Sequence, residues 1–469
     1  MHVVVVGATG NVGLALVRDL SAQPAVTRVT GVARRRPGLV LEKVTWATAD
    51  ILDADLDALF TGVDAVVHLA WAIQPARDRA RTRAINVDGS RRVFAAAARA
   101  GVGVLVHASS VGAYSPGPHD RRVDETWPTD GIASSFYSVD KAAAERELDA
   151  VAAANPELRV VRLRPGIVMQ REAAEEIRRL FLGPLVPTRL LRRGLVPVVP
   201  DVGGVAFQAV HADDLAVAYR LAVLDPGARG AYNVAAEEPL TLRSVARALR
   251  ALPVPVPAAV ARAAAAVSWR LRLQPTPPGW LDLGLDAPLM DTTRIREELG
   301  WAPRRSATDA LAELLAGLRD RAAADTPPLA AGDGAGGPVE ALGHGTVVEA
   351  RGARLIAVAD LPAAGVCQVR TTEHGVLAVG LADGVPFAVS NVCRHQFAKL
   401  GRGQLRDGCL ECPLHRARYD VRTGEMVAGP QGRVFGVAPY AQAVKAAANA
   451  VAPLETFPVA VRDGVIVLT

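Results

Sequence analysis

Two short knuckles, Cys393-Arg394-His395 and Cys412-Pro413-Leu414-His415, constrain this chain more than any other feature. Lying about twenty residues apart, they supply two thiolates and two imidazoles. That set suits a [2Fe-2S] cluster with one iron on Cys393 and Cys412 and the other on His395 and His415. A tetrahedral zinc site takes the same donors, but zinc knuckles usually group their cysteines in one and their histidines in the other. Here each knuckle mixes them.

The other end of the chain carries a different chemistry. An apolar run, His2-Val3-Val4-Val5-Val6, leads directly into Gly7-Ala8-Thr9-Gly10-Asn11-Val12-Gly13 and then into a helical stretch. This is the context that a dinucleotide fingerprint requires. Gly7 permits the tight turn, Gly10 lets the backbone approach a pyrophosphate, and Gly13 allows close helix packing, with the helix amino terminus facing the negative charge. Apolar strands such as Ala65-Val66-Val67-His68-Leu69 and Gly103-Val104-Leu105-Val106-His107 alternate with helical stretches. That alternation predicts an α/β domain, a Rossmann-type doubly wound parallel sheet with a small substrate lobe.

A composition break rich in Ala, Gly and Pro over residues 321–338 reads as a flexible linker. Beyond it, short alternating strands and turn residues predict a small all-β domain. The expected division is residues 1–318, a linker over 319–345, and a second domain over 346–469, within 469 residues. A formal charge of +5, with arginines scattered through helices, argues against nucleic-acid binding. No uncharged apolar run reaches membrane-spanning length and a strand begins at once, so neither membrane nor signal peptide is expected, and the expected location is cytoplasmic. Two of the four cysteines are cluster ligands; Cys367 and Cys409 read as small buried residues.

Tyr137 and Lys141 stand four residues apart on a helical stretch and so share a face. A phenol with a pKa of about 10 is a poor acid or base near neutrality. A neighbouring ammonium favours its phenolate and brings it nearer the working range. Ser109-Ser110 end the fifth strand, at the carboxyl edge where open α/β sheets bind ligands.

With these residues, the first domain resembles the extended short-chain dehydrogenase/reductases, which include sugar-nucleotide epimerases and hydroxysteroid dehydrogenases. Other matching stretches are Asp50-Ile51-Leu52, His68-Leu69-Ala70, Asn86-Val87-Asp88-Gly89, Arg164-Pro165-Gly166-Ile167-Val168, His211-Ala212-Asp213-Asp214 and Tyr232-Asn233-Val234. The resemblance implies Tyr137 as acid/base, Lys141 as its partner and holder of the ribose hydroxyls, Ser110 as the substrate hydrogen bond and Ser109 in support. It implies a nucleotide site drawn from Gly7, Thr9, Gly10, Asn11, Val12, Asp50, Ile51, Leu69, Ala70, Asn86, Pro165 and Ile167. One position departs from the family pattern. Where NAD-preferring members end the second strand with an acid, this chain has Ala33-Arg34-Arg35-Arg36. Guanidinium groups at Arg34 and Arg35 would welcome a 2′-phosphate, so NADP(H) is favoured, with NAD as the other nicotinamide the site could take. The plain alternative is a solvated basic turn.

Residues 354–469 resemble the Rieske ferredoxin-like domains. Beside the knuckles, the resemblance rests on Asn391-Val392, Leu400-Gly401-Arg402-Gly403, Gly408, Tyr419-Asp420, Thr423-Gly424-Glu425 and Asp463-Gly464. Arg416 stands where these domains usually have Gly, predicting a less tight turn. Ala417 replaces a Ser whose hydroxyl bonds a cluster sulfur in high-potential relatives, predicting a low-to-middling potential. Residues 435–456 read as an alanine-rich helical insertion.

The expected function is therefore an NADP-dependent oxidoreductase acting on a hydroxyl or ketone of a small molecule, fused to an electron carrier. No second nucleotide fingerprint suggests a flavin, so the cluster is expected to serve a separate reductase or oxygenase. No His-His-carboxylate set follows the cluster, which argues against a self-contained oxygenase. An epimerase or dehydratase of a sugar-like substrate and a nicotinamide sensor are the alternatives, and a homodimer is left open. Arg178, Arg179, Arg189, Arg192 and Arg193 either meet a nucleotide pyrophosphate or are ordinary exposed charge. Leu271, Leu273, Trp280, Leu281 and Leu283 read chiefly as core packing.

Overall fold

The computed structural model describes the chain except for residues 75–76, 183–195, 272–273, 321, 330–346, 351, 363, 396–397, 414–415, 432–437 and 452. Two compact units divide between Gly334 and Ala335.

The first unit is built on seven parallel strands. Five are β1 (His2–Val6), β2 (Arg28–Ala33), β3 (Val44–Thr48), β4 (Ala65–His68) and β5 (Val104–Ala108). The sheet order runs Gly230–Val234, Arg159–Pro165, β5, β4, β1, β2, β3. Helices cover both faces, which is why Val3 to Val6 read as an unbroken apolar run and are all buried. Strand order reverses between β1 and β4, and the crevice at their carboxyl ends is where such sheets take nucleotides. Helix α1 (Asn11–Ser21) buries Leu16, Val17 and Leu20 against the sheet and Leu14 on its other side.

Two sequence expectations fail here. The presumed linker starts later than the composition suggested, because Thr326 and Leu329 are buried in the first unit. Thr326 Oγ1 donates to Thr9 O at 2.8 Å, and Leu329 packs with Leu14 and Ala173. Alanine and proline do not preclude docking when one leucine and one hydroxyl find partners. In the smaller lobe, the helix Ala258–Arg270 buries no residue, and Leu271 just after it is 42% exposed rather than in a core. Leu273 lies outside the described residues.

Among the described residues, the second unit holds three antiparallel-rich sheets, of five, three and four strands. Asp383-Gly384, Asp407-Gly408 and Asp463-Gly464 all have positive φ at both residues, the two-residue turn that matches strand twist. The four-stranded sheet, Gln404–Arg406, Cys409–Glu411, Arg418–Asp420 and Met426–Ala428, carries the second knuckle. The expected insertion is a helix, Ala438–Val451, whose Asn449 side chain pairs with both the N–H and the C=O of Met426. Cys367 is buried, while Cys409 is partly exposed on its hairpin.

Candidate functional site

The glycine turn is made by close contact. Gly7 has φ +88°, and a Cβ there would lie 2.7 Å from Ala70 N, so this turn rests on the Leu69-Ala70 backbone. A Cβ on Gly13 would lie 2.3 Å from Gly7 O, whereas one on Gly10 meets only Gly7 O at 3.7 Å. Gly10 thus leaves room at the amino end of α1, which has no side-chain cap. An uncapped helix start beside open backbone fits a pyrophosphate. Around it, Asn11 Nδ2 donates to Val168 O, and Gln170 Nε2 donates to Asn11 Oδ1 at 2.7 Å, tying the turn to the strand that contains Ile167. Val12 is partly buried beside this cradle, as is Leu69. Pro165 is buried, Ile167 is exposed, and Arg34 and Arg35 are exposed just past β2.

Three expected nucleotide residues also make contacts within the scaffold. Asn86 is fully buried, bonding Ala72 through both its N–H and C=O and donating to Asp140 Oδ2 at 3.3 Å. Its amide therefore fixes the chain after β4. Ile51 is buried in the core, and Asp50 caps its own turn by accepting from Leu52 N.

The helix Phe136–Ala154 brings Tyr137 and Lys141 beside Ser110. Ser110 Oγ, which accepts from Gly112 N at 3.0 Å, acts on the Tyr137 phenol, and Lys141 Nζ donates to Ala108 O at 2.7 Å. Burial pushes the Tyr137 phenol up to about 12, partly offset by Ser110, and brings Lys141 down to about 7, partly offset by Glu145 and Asp140. The spacing alone predicts an ammonium that eases the phenol toward neutrality. In the folded site desolvation dominates instead, because Lys141 is buried and Tyr137 is largely withdrawn from water. Beneath the site, His68 and His107 are stacked at 5.6 Å and buried, and burial keeps both imidazoles neutral.

Sequence reasoning assigned no role to the groups that hold this helix. Glu145, one turn beyond Lys141, accepts from Ser109 Oγ and forms a two-pronged ion pair with Arg164, at 2.9 and 2.6 Å. Burial pushes the Glu145 carboxyl up, but hydrogen bonds and charge from Arg164 leave it below its ordinary value. Arg164 also donates to Tyr114 Oη, which donates to Asn233. The four-residue step from Lys141 to Glu145 was the available signal.

In the second unit, Cys393 and Cys412 are each 1% exposed and belong to one apolar cluster. Cys393 N donates to Ala398 O and Cys412 N to Ala417 O, both at 2.8 Å, closing the two knuckles. Arg416 adopts φ +57° and donates to Cys412 O at 3.0 Å, so the turn expected to loosen is closed. The side chain accepts the left-handed backbone at a cost of roughly 1–2 kcal/mol. Tyr419 Oη lies 3.1 Å from Cys393 Sγ and accepts from Arg394 N at 3.0 Å. Burial lowers the pKa of His395, favouring the neutral ring that can ligate. Buried thiols with fixed amides and a hydroxyl at one sulfur fit an iron–sulfur cluster; His415 lies outside the described residues.

A family model for the NAD dependent epimerase/dehydratase family matches residues 3–235, and one for the Rieske [2Fe-2S] domain matches residues 353–446. Residues 3–235 belong to the NAD dependent epimerase/dehydratase family, and residues 353–446 form a Rieske [2Fe-2S] domain. The Rieske part is similar to the 3-phenylpropionate/cinnamic acid dioxygenase ferredoxin subunit of Photorhabdus laumondii, 34% identical over 113 residues, 24% of this chain and 88% of that protein. The epimerase-family part shares the fold of the UDP-glucose 4-epimerase of Thermus thermophilus solved with NAD. The TM-score is 0.51 at 24% identity, over 68% of this chain and 99% of that one. An uncharacterized Mycobacterium tuberculosis protein is 28% identical over 323 residues, 68% of this chain but 30% of that protein, so the chain spans under a third of this relative. Among the described residues, no helix is long and apolar enough to cross a membrane.

Proposed function

We propose that the first unit is an NADP(H)-linked oxidoreductase acting on a hydroxyl or ketone, and that the Rieske unit passes single electrons to a separate oxygenase or reductase. The observation that carries the first part is the convergence of Ser110, Tyr137 and Lys141 at the carboxyl edge of β5. A nicotinamide bound at the glycine turn would supply or take the hydride. Tyr137 gives or takes the proton at the substrate oxygen, Ser110 orients that oxygen, and the Lys141 ammonium lowers the cost of phenolate charge. Ser109 supports this set by fixing Glu145.

Exposed Arg34 and Arg35, with no acid at that strand end, favour the 2′-phosphate of NADP(H) over NAD(H). Cys393, His395, Cys412 and His415 are the proposed cluster ligands. A dioxygenase ferredoxin subunit among the relatives supports an oxygenase as the electron acceptor.

The test is cofactor turnover against a panel of ketones and alcohols, with Tyr137→Phe and Arg34→Asp variants. Tyr137→Phe should lose nearly all hydride transfer with the cluster spectrum unchanged. Arg34→Asp should weaken NADPH binding more than NADH binding. Sugar interconversion without net cofactor turnover would instead identify an epimerase.

A further inference from the structure

The substrate side of Tyr137 is walled by aromatic rings from three separate segments. Trp280 lies against the phenol with ring centroids 4.8 Å apart, Phe181 meets Trp280 edge-on at 4.8 Å, and Trp71 stands 6.1 Å from Tyr137. Trp71 also covers Lys141, whose Nζ is 3.5 Å from the ring centroid. All three rings keep partial exposure, as lining residues of a cleft do.

These rings are held in place by specific contacts. Gly279 brings Trp280 to the phenol: a Cβ there would lie 2.4 Å from Ser134 O and 2.9 Å from Ser135 Cα, at the start of the Tyr137 helix. Only glycine allows that backbone contact. Thr276 Oγ1 donates to Phe181 O at 2.6 Å, and Gln74 Nε2 donates to Leu180 O and Pro275 O. The three segments are thereby tied together around the phenol.

Among the described residues of the arginine-rich stretch, charge is engaged elsewhere. Arg178 pairs with Glu175, and Arg179 donates to Pro328 O; Arg189, Arg192 and Arg193 lie outside the described residues. Trp71 Nε1, by contrast, is a buried donor with no hydrogen-bond partner among the described residues.

From this geometry, and resting on the proposed oxidoreductase reading, we infer that the substrate is a flat, largely apolar ring compound, aromatic or fused, bearing its reacting oxygen at the edge. One face packs against Trp280 while Trp71, turned out of that plane, meets its edge, and an additional oxygen accepts from Trp71 Nε1. A sugar nucleotide, with its diphosphate, does not suit such a wall.

The experiment measures binding and turnover separately, on the full chain with NADPH, using 2-tetralone and UDP-glucose as probes. Calorimetry should show 2-tetralone binding and UDP-glucose not. Trp280→Ala should weaken 2-tetralone binding at least about tenfold, with NADPH affinity unchanged and Trp280→Phe retaining most of it. UDP-glucose binding in preference to 2-tetralone, no binding of 2-tetralone, or indifference to Trp280→Ala in a variant with an unchanged melting temperature would each overturn the inference. Binding of 2-tetralone without NADPH oxidation would uphold the substrate class and sink the oxidoreductase reading instead.

Discussion

Lys141 shows how one residue's chemistry is made by its surroundings. Its ammonium sits in a site that brings its pKa from 10.5 down to about 7, so between those values the unfolded chain binds more protons than the folded one. Stability must therefore rise with pH across that window. Protein free of nucleotide should melt at a higher temperature at pH 9 than at pH 7, and Lys141→Met should flatten the difference. No difference between the two pH values would mean that Lys141 remains charged in the fold. Tyr419 is the corresponding case in the Rieske unit. Missing hydroxyl at Ala417 suggested a low-to-middling potential, but Tyr419 Oη sits 3.1 Å from Cys393 Sγ. A donor at that sulfur stabilises the more electron-rich, reduced cluster. Tyr419→Phe should lower the reduction potential in protein-film voltammetry, and an unchanged potential would make the hydroxyl a structural partner of Arg394 N alone.

At the scale of elements, the catalytic helix is set by a buried ion pair. Glu145 on Phe136–Ala154 and Arg164 on the strand Arg159–Pro165 are 2% and 5% exposed at their side chains. Removing one partner strands the other away from water. Glu145→Ala should therefore cost about 3–5 kcal/mol in denaturant unfolding, and Glu145→Gln, which keeps the shape and some hydrogen bonds, less. Loss below about 1 kcal/mol would show that water reaches Arg164. The glycine turn and the Asp-Gly hairpins were legible from sequence because their geometry is fixed within a few residues. The ion pair was not, because its charges come from different elements and nothing along the chain marks them as partners.

On the proposed reading, the whole molecule carries two redox chemistries of different electron count. Hydride moves two electrons, the cluster accepts one, and no flavin fingerprint is present in the sequence. Anaerobic mixing with NADPH should therefore leave the cluster colour unchanged over the time of ketone turnover, with bleaching only when a reductase is added. Rapid bleaching by NADPH alone would show a direct electron path. If the colour persists, covalent linkage serves to keep two activities at one place rather than to wire them together.

Taken by itself, the sequence determined the two fold classes, the glycine turn, the Tyr137–Lys141 pair and the knuckles, since each depends on residues at fixed short spacing. Only the tertiary structure decided the protonation of Lys141 and Tyr137, the docking of Thr326 and Leu329, the scaffold role of Asn86, and the meeting of Tyr137 with Trp280. Desolvation and contact depend on what distant segments place around a group. Spacing along the chain carries no record of that.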